Sequence, residues 1–322
     1  PLSGWLVSRF DSRQPMTVAL VFMAVALMFI GWAPSTLLLI CGVCLFSFSM
    51  RIMNIAVNTQ AITLQNQFER KINGTFHGLW STGGILGVGI STLFVGLKVS
   101  MGIHLTLIAI IAIVTALYSF RFLLHNDRAA SGNKLSMSKP DPYIVYLGLL
   151  VFFAAICEGG MFDWSGVYFK EVVYEDLFTL GYLIFMICMA LSRFASDRLM
   201  ERFGMANTYL ISASLIFAGI ALAVIFPYFW TSMTGFCLVG LGTAAIIPMT
   251  FLLAGSSKKY SHGVTISIIA TYSIVGMLIG PPLIGYVAHA LSLRIAFVIF
   301  GLAGLMLIPV SQLFFRHQKL RD

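Results

Sequence analysis

The chain has 322 residues, of which 59% are apolar and 10% charged, with a mean hydropathy of +0.92. No soluble core needs that much apolar sequence, and the solvent that suits it is a lipid bilayer. In a soluble protein the net charge of +8 would suggest a nucleic-acid partner; in a membrane protein it is the Lys and Arg excess of cytoplasmic loops, and no nucleic acid is expected.

The hydrocarbon core is ~30 Å thick and a helix rises ~1.5 Å per residue, so about 20 apolar residues make one span. Residues 1–9 read as the tail of a helix. Full spans are expected at 16–33, 36–61, 74–97, 101–123, 142–168, 177–193, 205–226, 229–254, 262–288 and 292–315. The uncharged region 203–257 is divided at Pro227-Tyr-Phe-Trp230, a proline and aromatic cluster suited to an interfacial turn. The chain therefore reads as an all-α polytopic membrane protein with ten full transmembrane helices and the tail of another.

Residues 124–141, rich in Ser, Asn and Lys, read as a flexible linker between an N-terminal bundle (1–123) and a C-terminal six-helix bundle (142–322). Six spans follow the linker, and four with a tail precede it. An evenly divided protein would place one helix and most of a second before Pro1, so the start reads as truncated.

Loop charges test this arrangement. With sides alternating, one side carries fifteen Lys and Arg and the other three, Lys98, Lys170 and Arg294, while Arg51 and Arg193 lie within or beside spans. The asymmetry predicts that the opening segment, the linker and the C-terminus are cytoplasmic.

Polar side chains inside spans are costly and need a reason. Ser47, Arg51, Asn54, Asn58 and Gln65 fall on one helical face, since steps of 4, 3, 4 and 7 return to the same arc. Such a stripe lines a cavity, with Arg51 facing an anionic or hydroxyl-rich ligand, or it forms an interhelical network, the reading preferred for Asn58 and Gln65. His77 carries the side chain whose charge ordinarily changes near neutral pH; it and Trp80 suit a cavity wall or plain packing.

Glu158 and Asp163 are the acids within spans, in Cys157-Glu-Gly-Gly-Met-Phe-Asp-Trp-Ser-Gly-Val-Tyr168. Counted from residue 142, Glu158 falls in the outer half and Asp163 near the outer surface, and Gly159-Gly160 between them can unwind the helix. Burial favours the neutral form of a carboxylic acid, which suits proton coupling at Glu158, while a cap on a broken helix is the competing reading. Arg51, in the inner half, is not expected to pair with Glu158.

The five cysteines lie within apolar runs and read as buried thiols rather than a metal or redox pair, and no cofactor is expected. There is no metalloprotease helix motif, phosphate-cradling Gly-Lys loop or nucleophile elbow, so the chain does not read as an enzyme.

Two charged segments carry a resemblance. Arg193-Phe-Ala-Ser-Asp-Arg-Leu-Met-Glu-Arg-Phe-Gly204 places five charges in twelve residues, and Gly4-Trp-Leu-Val-Ser-Arg-Phe-Asp-Ser-Arg13 is a shorter relative. Both resemble the cytoplasmic loop motif of the major facilitator superfamily, Gly-x-Leu-x-Asp-Arg-x-Gly-Arg-Lys. Gly4, Leu6, Arg9 and Arg13 match the first copy, where Ser8 and Asp11 replace its Asp and Gly. Asp197 and Arg198 match the second, where Arg202 and Gly204 are displaced and Arg193 replaces the first Gly. With His77-Gly-Leu-Trp-Ser-Thr-Gly-Gly84, Glu158-Gly-Gly-Met-Phe-Asp-Trp164 and Gly280-Pro-Pro-Leu-Ile-Gly285, the chain resembles bacterial inner-membrane permeases of the YbjJ type, near the sugar-symporter branch.

The resemblance implies two six-helix bundles, a central cavity and alternating access. It implies a monomeric inner-membrane transporter of a small polar solute such as a sugar or sugar acid, coupled to protons. Arg51, Asn54, His77, Trp80, Glu158, Asp163 and Trp164 are the expected substrate and coupling residues. Arg9, Arg13, Asp197, Arg198 and Arg202 are the expected gating residues, with Asp197 accepting hydrogen bonds from a neighbouring helix N-terminus. A drug or metabolite antiporter is disfavoured because residues 76–97 hold no Pro. A non-transporting sensor on the same scaffold, or a polytopic membrane enzyme, would need a signalling domain or a polar catalytic cluster.

Overall fold

A computed structural model of the chain describes residues 9–125, 141–175, 179–257, 260 and 262–319. Among the described residues the fold is all-helical, without a strand. Helices α1 (Arg13–Gly31), α2 (Thr36–Gln65), α3 (Asn73–Gly96) and α4 (Met101–Ser119) precede the linker. After it come α5 (Pro142–Tyr168), which runs on into a π-helical turn Phe169–Val173, then α6 (Thr179–Ile225), α7 (Phe229–Thr243), α8 (Ile246–Gly255), α9 (His262–Ala290), α10 (Leu293–Ala296) and α11 (Val298–Lys319). Eight stretches among the described residues are long and apolar enough to cross a membrane, against the ten expected.

The difference is informative at α6. Its apolar stretch, Leu180–Ile225, has 46 residues, about 69 Å of helix, more than twice the hydrocarbon thickness. It covers two expected spans, divided where Gly204 takes φ 76° and ψ 161°. The charged segment 193–203 is thus helix rather than loop, because Ala195, Arg198, Leu199, Met200 and Glu201 are strong helix formers and only Gly204 reaches a left-handed φ without strain. The span expected at 229–254 is divided into α7 and α8, since Pro248, in the first turn of α8, cannot donate to the carbonyl of Ala244.

The chain forms two compact units, residues 1–67, 80–138 and 257–267 in one and residues 68–79, 139–256 and 268–322 in the other. In the first, Gln60 Nε2 donates to Ser12 Oγ (2.7 Å) and to the Leu124 carbonyl (3.1 Å), and its Oε1 accepts from the Leu124 amide (3.0 Å). The Trp32 indole donates to Thr106 Oγ1 at 2.9 Å and lies flat over Gly102, whose Cβ would come within 2.6 Å of the ring. In the second, Tyr168, Phe169, Phe236, Phe297 and Phe300 make a fully buried aromatic core, with the Tyr168 hydroxyl donating to the Ala223 carbonyl at 2.9 Å.

Close helix packing accounts for most glycines of the second unit. A Cβ on Gly219 would lie 2.4 Å from the Gly235 carbonyl oxygen, and one on Gly235 2.5 Å from that of Gly219, so α6 and α7 meet backbone to backbone. Gly276, Gly280 and Gly285 are likewise covered, whereas a Cβ on Gly83, Gly84 or Gly87 would meet nothing within 4 Å among the described residues. Close packing therefore accounts for the glycines of α9 and, among the described residues, not for these three of α3. Gly159-Gly160 does not unwind α5: the helix is continuous there, and Gly160 instead admits the Phe300 ring, 2.2 Å from where its Cβ would lie. Gly235→Ala should cost about 1–3 kcal/mol, because backbone must move; thermal unfolding in detergent should show the loss, and an unchanged melting temperature would refute the contact.

Candidate functional site

The most deeply buried charges meet in the second unit. Glu158 lies sixteen residues from the start of α5 and fifteen from the end of its π-helical extension, so it sits at mid-length, about 24 Å from the first turn. Arg193 of α6 donates from Nη2 to Glu158 Oε1 at 2.8 Å, and both side chains are 7% exposed. Glu158 Oε2 is buried without a hydrogen-bond partner among the described residues, and the adjacent Cys157 thiol donates to the Phe300 carbonyl at 3.4 Å. Removing one member of such a pair leaves an uncompensated buried charge and costs about 3–5 kcal/mol. The sequence signal for Arg193 was its place beside a span, a position shared with Arg51 alone.

One helical turn along α6, Asp197 is 5% exposed and receives the start of α3. Its Oδ1 accepts from the Gly74 amide (2.8 Å), and its Oδ2 from the Thr75 amide (2.8 Å) and hydroxyl (2.9 Å). A carboxylate there satisfies orphan amides and faces the positive end of the helix dipole. The same turn is fixed on either side. Asn73 Nδ2 donates to the Pro248 carbonyl at 2.7 Å, the Lys71 amide to Glu201 Oε1 at 2.7 Å, and Lys71 Nζ to the Met200 carbonyl at 3.0 Å. Position 74 must be glycine, since a Cβ would lie 1.9 Å from Ser196 Oγ and 3.0 Å from the Arg193 carbonyl oxygen. Gly78 lies flush under the Phe194 ring, and His77 packs 6.0 Å from Phe251 within electrostatic reach of Arg193.

The other expected residues are scattered. Arg51 Nη2 donates to the Ser267 carbonyl at 2.8 Å, so the cation is spent on a helix backbone rather than on Glu158. Its stripe divides: Asn58 is buried and donates to the Asn54 carbonyl at 2.8 Å, Gln65 is buried, and Ser47 is exposed. Trp80 and Asp163 are exposed, whereas the Trp164 indole donates to the Pro281 carbonyl at 3.0 Å, with Gly285 giving it room.

Of the arginines in the charged segments, Arg9, Arg198 and Arg202 are exposed, and Arg202 lies over the neighbouring Phe203 ring. Arg13 sits over Phe120 and 4.0 Å from Asp11, while Gly4, Leu6, Ser8 and linker residues 126–140 lie outside the described residues. Cys41 and Cys44 are exposed on an apolar face of α2, contrary to the expected burial, while Cys188 and Cys237 are free thiols with Sγ atoms 2.8 Å apart.

An apolar helical scaffold with a charge pair at mid-length and a capped helix start is the setting in which family comparison becomes decisive. The sequence profile of the Major Facilitator Superfamily matches residues 1–222 and, in a second overlapping match, residues 184–321. The chain belongs to this superfamily. It is 28% identical over 317 residues to an uncharacterised MFS-type transporter of Yersinia pestis, covering 97% of this chain and 80% of that one. It is 29% identical to the membrane protein MosC of Rhizobium meliloti (99% and 78% covered) and 30% identical to the uncharacterised transporter y4wD of Sinorhizobium fredii (94% and 81%). Among solved structures it superposes on the E. coli fucose:proton symporter FucP with TM-score 0.76 at 15% identity, over 97% of this chain and 86% of that one. A bacterial homologue of the iron transporter ferroportin gives TM-score 0.78 at 13% identity (98% and 86%). At these identities the structural likeness establishes the fold alone. This MFS protein is a multi-pass membrane transporter, not an enzyme.

Loss of the cap at Asp197 should release the amides it holds. Asp197→Ala is expected to weaken the first turn of α3 by about 1–2 kcal/mol, roughly a tenfold rise in hydrogen exchange at Gly74 and Thr75. Equal exchange in both proteins would remove the capping role.

Proposed function

We propose that this MFS protein is a proton-coupled symporter of a small polar solute, a sugar or sugar acid, working by alternating access as a monomer in the inner membrane with its C-terminus cytoplasmic. The observation that carries the reading is the Glu158–Arg193 pair, buried at mid-length of α5. A proton on Glu158 would convert the ion pair into a neutral acid beside a lone cation. Relieving that cost requires Arg193 to shift, and its backbone carbonyl lies one turn before Asp197, against the seat of Gly74. Protonation is thereby coupled to the grip of α6 on the first turn of α3, which serves as the cytoplasmic latch. The fucose:proton symporter among the structural neighbours supports the symport class by fold alone. The fifteen-to-three loop charge asymmetry supports the orientation. Arg51 is the proposed solute contact, exchanging its bond with the Ser267 carbonyl for hydroxyl or carboxylate oxygens of the cargo.

The test is uptake of radiolabelled hexoses and hexuronates into vesicles bearing an imposed proton gradient. A protonophore should abolish accumulation, and Glu158→Gln should lower it at least tenfold while leaving solute exchange at equal concentrations. Accumulation that survives both treatments would overturn proton coupling.

The pair itself has a separate signature. Arg193→Gln alone should lower stability by about 3–5 kcal/mol, and Glu158→Gln/Arg193→Gln should recover most of that without recovering accumulation. A double variant as unstable as Arg193→Gln would show that the two side chains do not compensate each other.

A further inference from the structure

An open groove of about 250 Å³ lies between α11 and the limb of α6 that follows Gly204. Its walls follow helical spacing. Ile308, Ser311, Gln312, Phe315, Arg316 and Lys319 recur on one face of α11, and Ala206, Asn207 and Leu210 on one face of α6. The two walls grade in polarity together. Arg316, Lys319 and Asn207 cluster at the end where α11 finishes and the α6 limb begins, while Ile308 and Leu210 lie deeper, with Phe315 between. Lys319 and Ile308 are eleven residues apart, about 16 Å along the helix, enough to cross the headgroup layer and enter the acyl region. None of the lining residues is acidic, and the two cations give the groove a positive rim.

We propose that this groove is a binding site for one anionic phospholipid of the cytoplasmic leaflet. Its phosphate engages Arg316 and Lys319, its glycerol or ester oxygens reach Gln312 and Asn207, and one acyl chain lies along Phe315, Leu210 and Ile308. The chemistry excludes simpler occupants. A free phosphate would use the rim and leave the apolar floor uncovered, whereas a neutral lipid would cover the floor and leave the rim unpaired. The placement rests on the orientation proposed above, which puts this end of α11 on the cytoplasmic side, but it does not depend on what solute is carried.

The protein purified in non-ionic detergent is titrated with phosphatidylglycerol or phosphatidylcholine, with inorganic phosphate as a third arm, and bound lipid is counted by native mass spectrometry. One phosphatidylglycerol should be retained, with roughly a 30-fold preference over phosphatidylcholine for two basic residues near the headgroup. Arg316→Gln/Lys319→Gln, both exposed side chains whose replacement leaves the fold intact, should erase the preference, whereas Arg121→Gln, a basic residue outside the groove, should keep it. Equal retention of the two lipids, an unchanged preference in the double variant, or the same loss with Arg121→Gln would each overturn the site. Displacement of the lipid by millimolar inorganic phosphate would show an anion pocket instead. Transport measurements do not enter this test, so its failure and that of the symporter reading are separable.

Discussion

Hydrocarbon tolerates no charge without a partner, and the second unit is arranged around that constraint. Glu158 and Arg193 neutralise each other at mid-length of α5 with its π-helical extension, where both side chains are buried. Their pairing fixes the azimuth of α6 against α5. That in turn decides which face of α6 presents Ser196 and Asp197 to the start of α3. Other polar groups within spans are handled less expensively, by donation to helix carbonyls: Arg51 to Ser267, Trp164 to Pro281, Tyr168 to Ala223. Those bonds add polar satisfaction without introducing a second charge, so they can be exchanged for ligand or water with little electrostatic penalty. The ion pair cannot, because removing either partner leaves a buried charge uncompensated.

Backbone proximity is the second constraint. Where α6 and α7 approach through Gly219 and Gly235, side chains have been removed to bring dispersion and backbone contacts into register. Gly74 obeys the same logic at a helix end: its missing Cβ lets an N-terminal turn descend onto Ser196, Asp197 and the Arg193 carbonyl. A tight but wholly non-covalent seat, made of hydrogen bonds to one carboxylate, combines geometric selectivity with reversibility.

Membrane class and helical architecture follow from apolar run length, because that pattern reports directly on the bilayer. The carboxylate at Asp197 is readable too, since an acid in a basic segment has no use in setting topology and does have one at a helix N-terminus. The partner of Glu158 is not readable. Pairing across 35 residues depends on the relative rotation and offset of two helices, which no sequence period announces. The polar stripe on α2 is open to several readings for a related reason: identical spacing arises whether side chains face a cavity, a neighbouring carbonyl or one another, and here Asn58 turns back on Asn54. Gly83, Gly84 and Gly87 of α3 and Gly276, Gly280 and Gly285 of α9 look alike in sequence, yet among the described residues the α9 glycines lie against a neighbour and these three of α3 do not.

The break at Gly204 bears on biogenesis. An apolar stretch of 46 residues would satisfy an insertion apparatus as one overlong segment as readily as two ordinary ones. Among the described residues nothing within 4 Å would obstruct a Cβ at position 204, so its glycine is required by its positive φ. A single backbone torsion therefore carries the parity of all that follows. If the two limbs of α6 inserted as one segment, each later helix would enter the membrane from the opposite side.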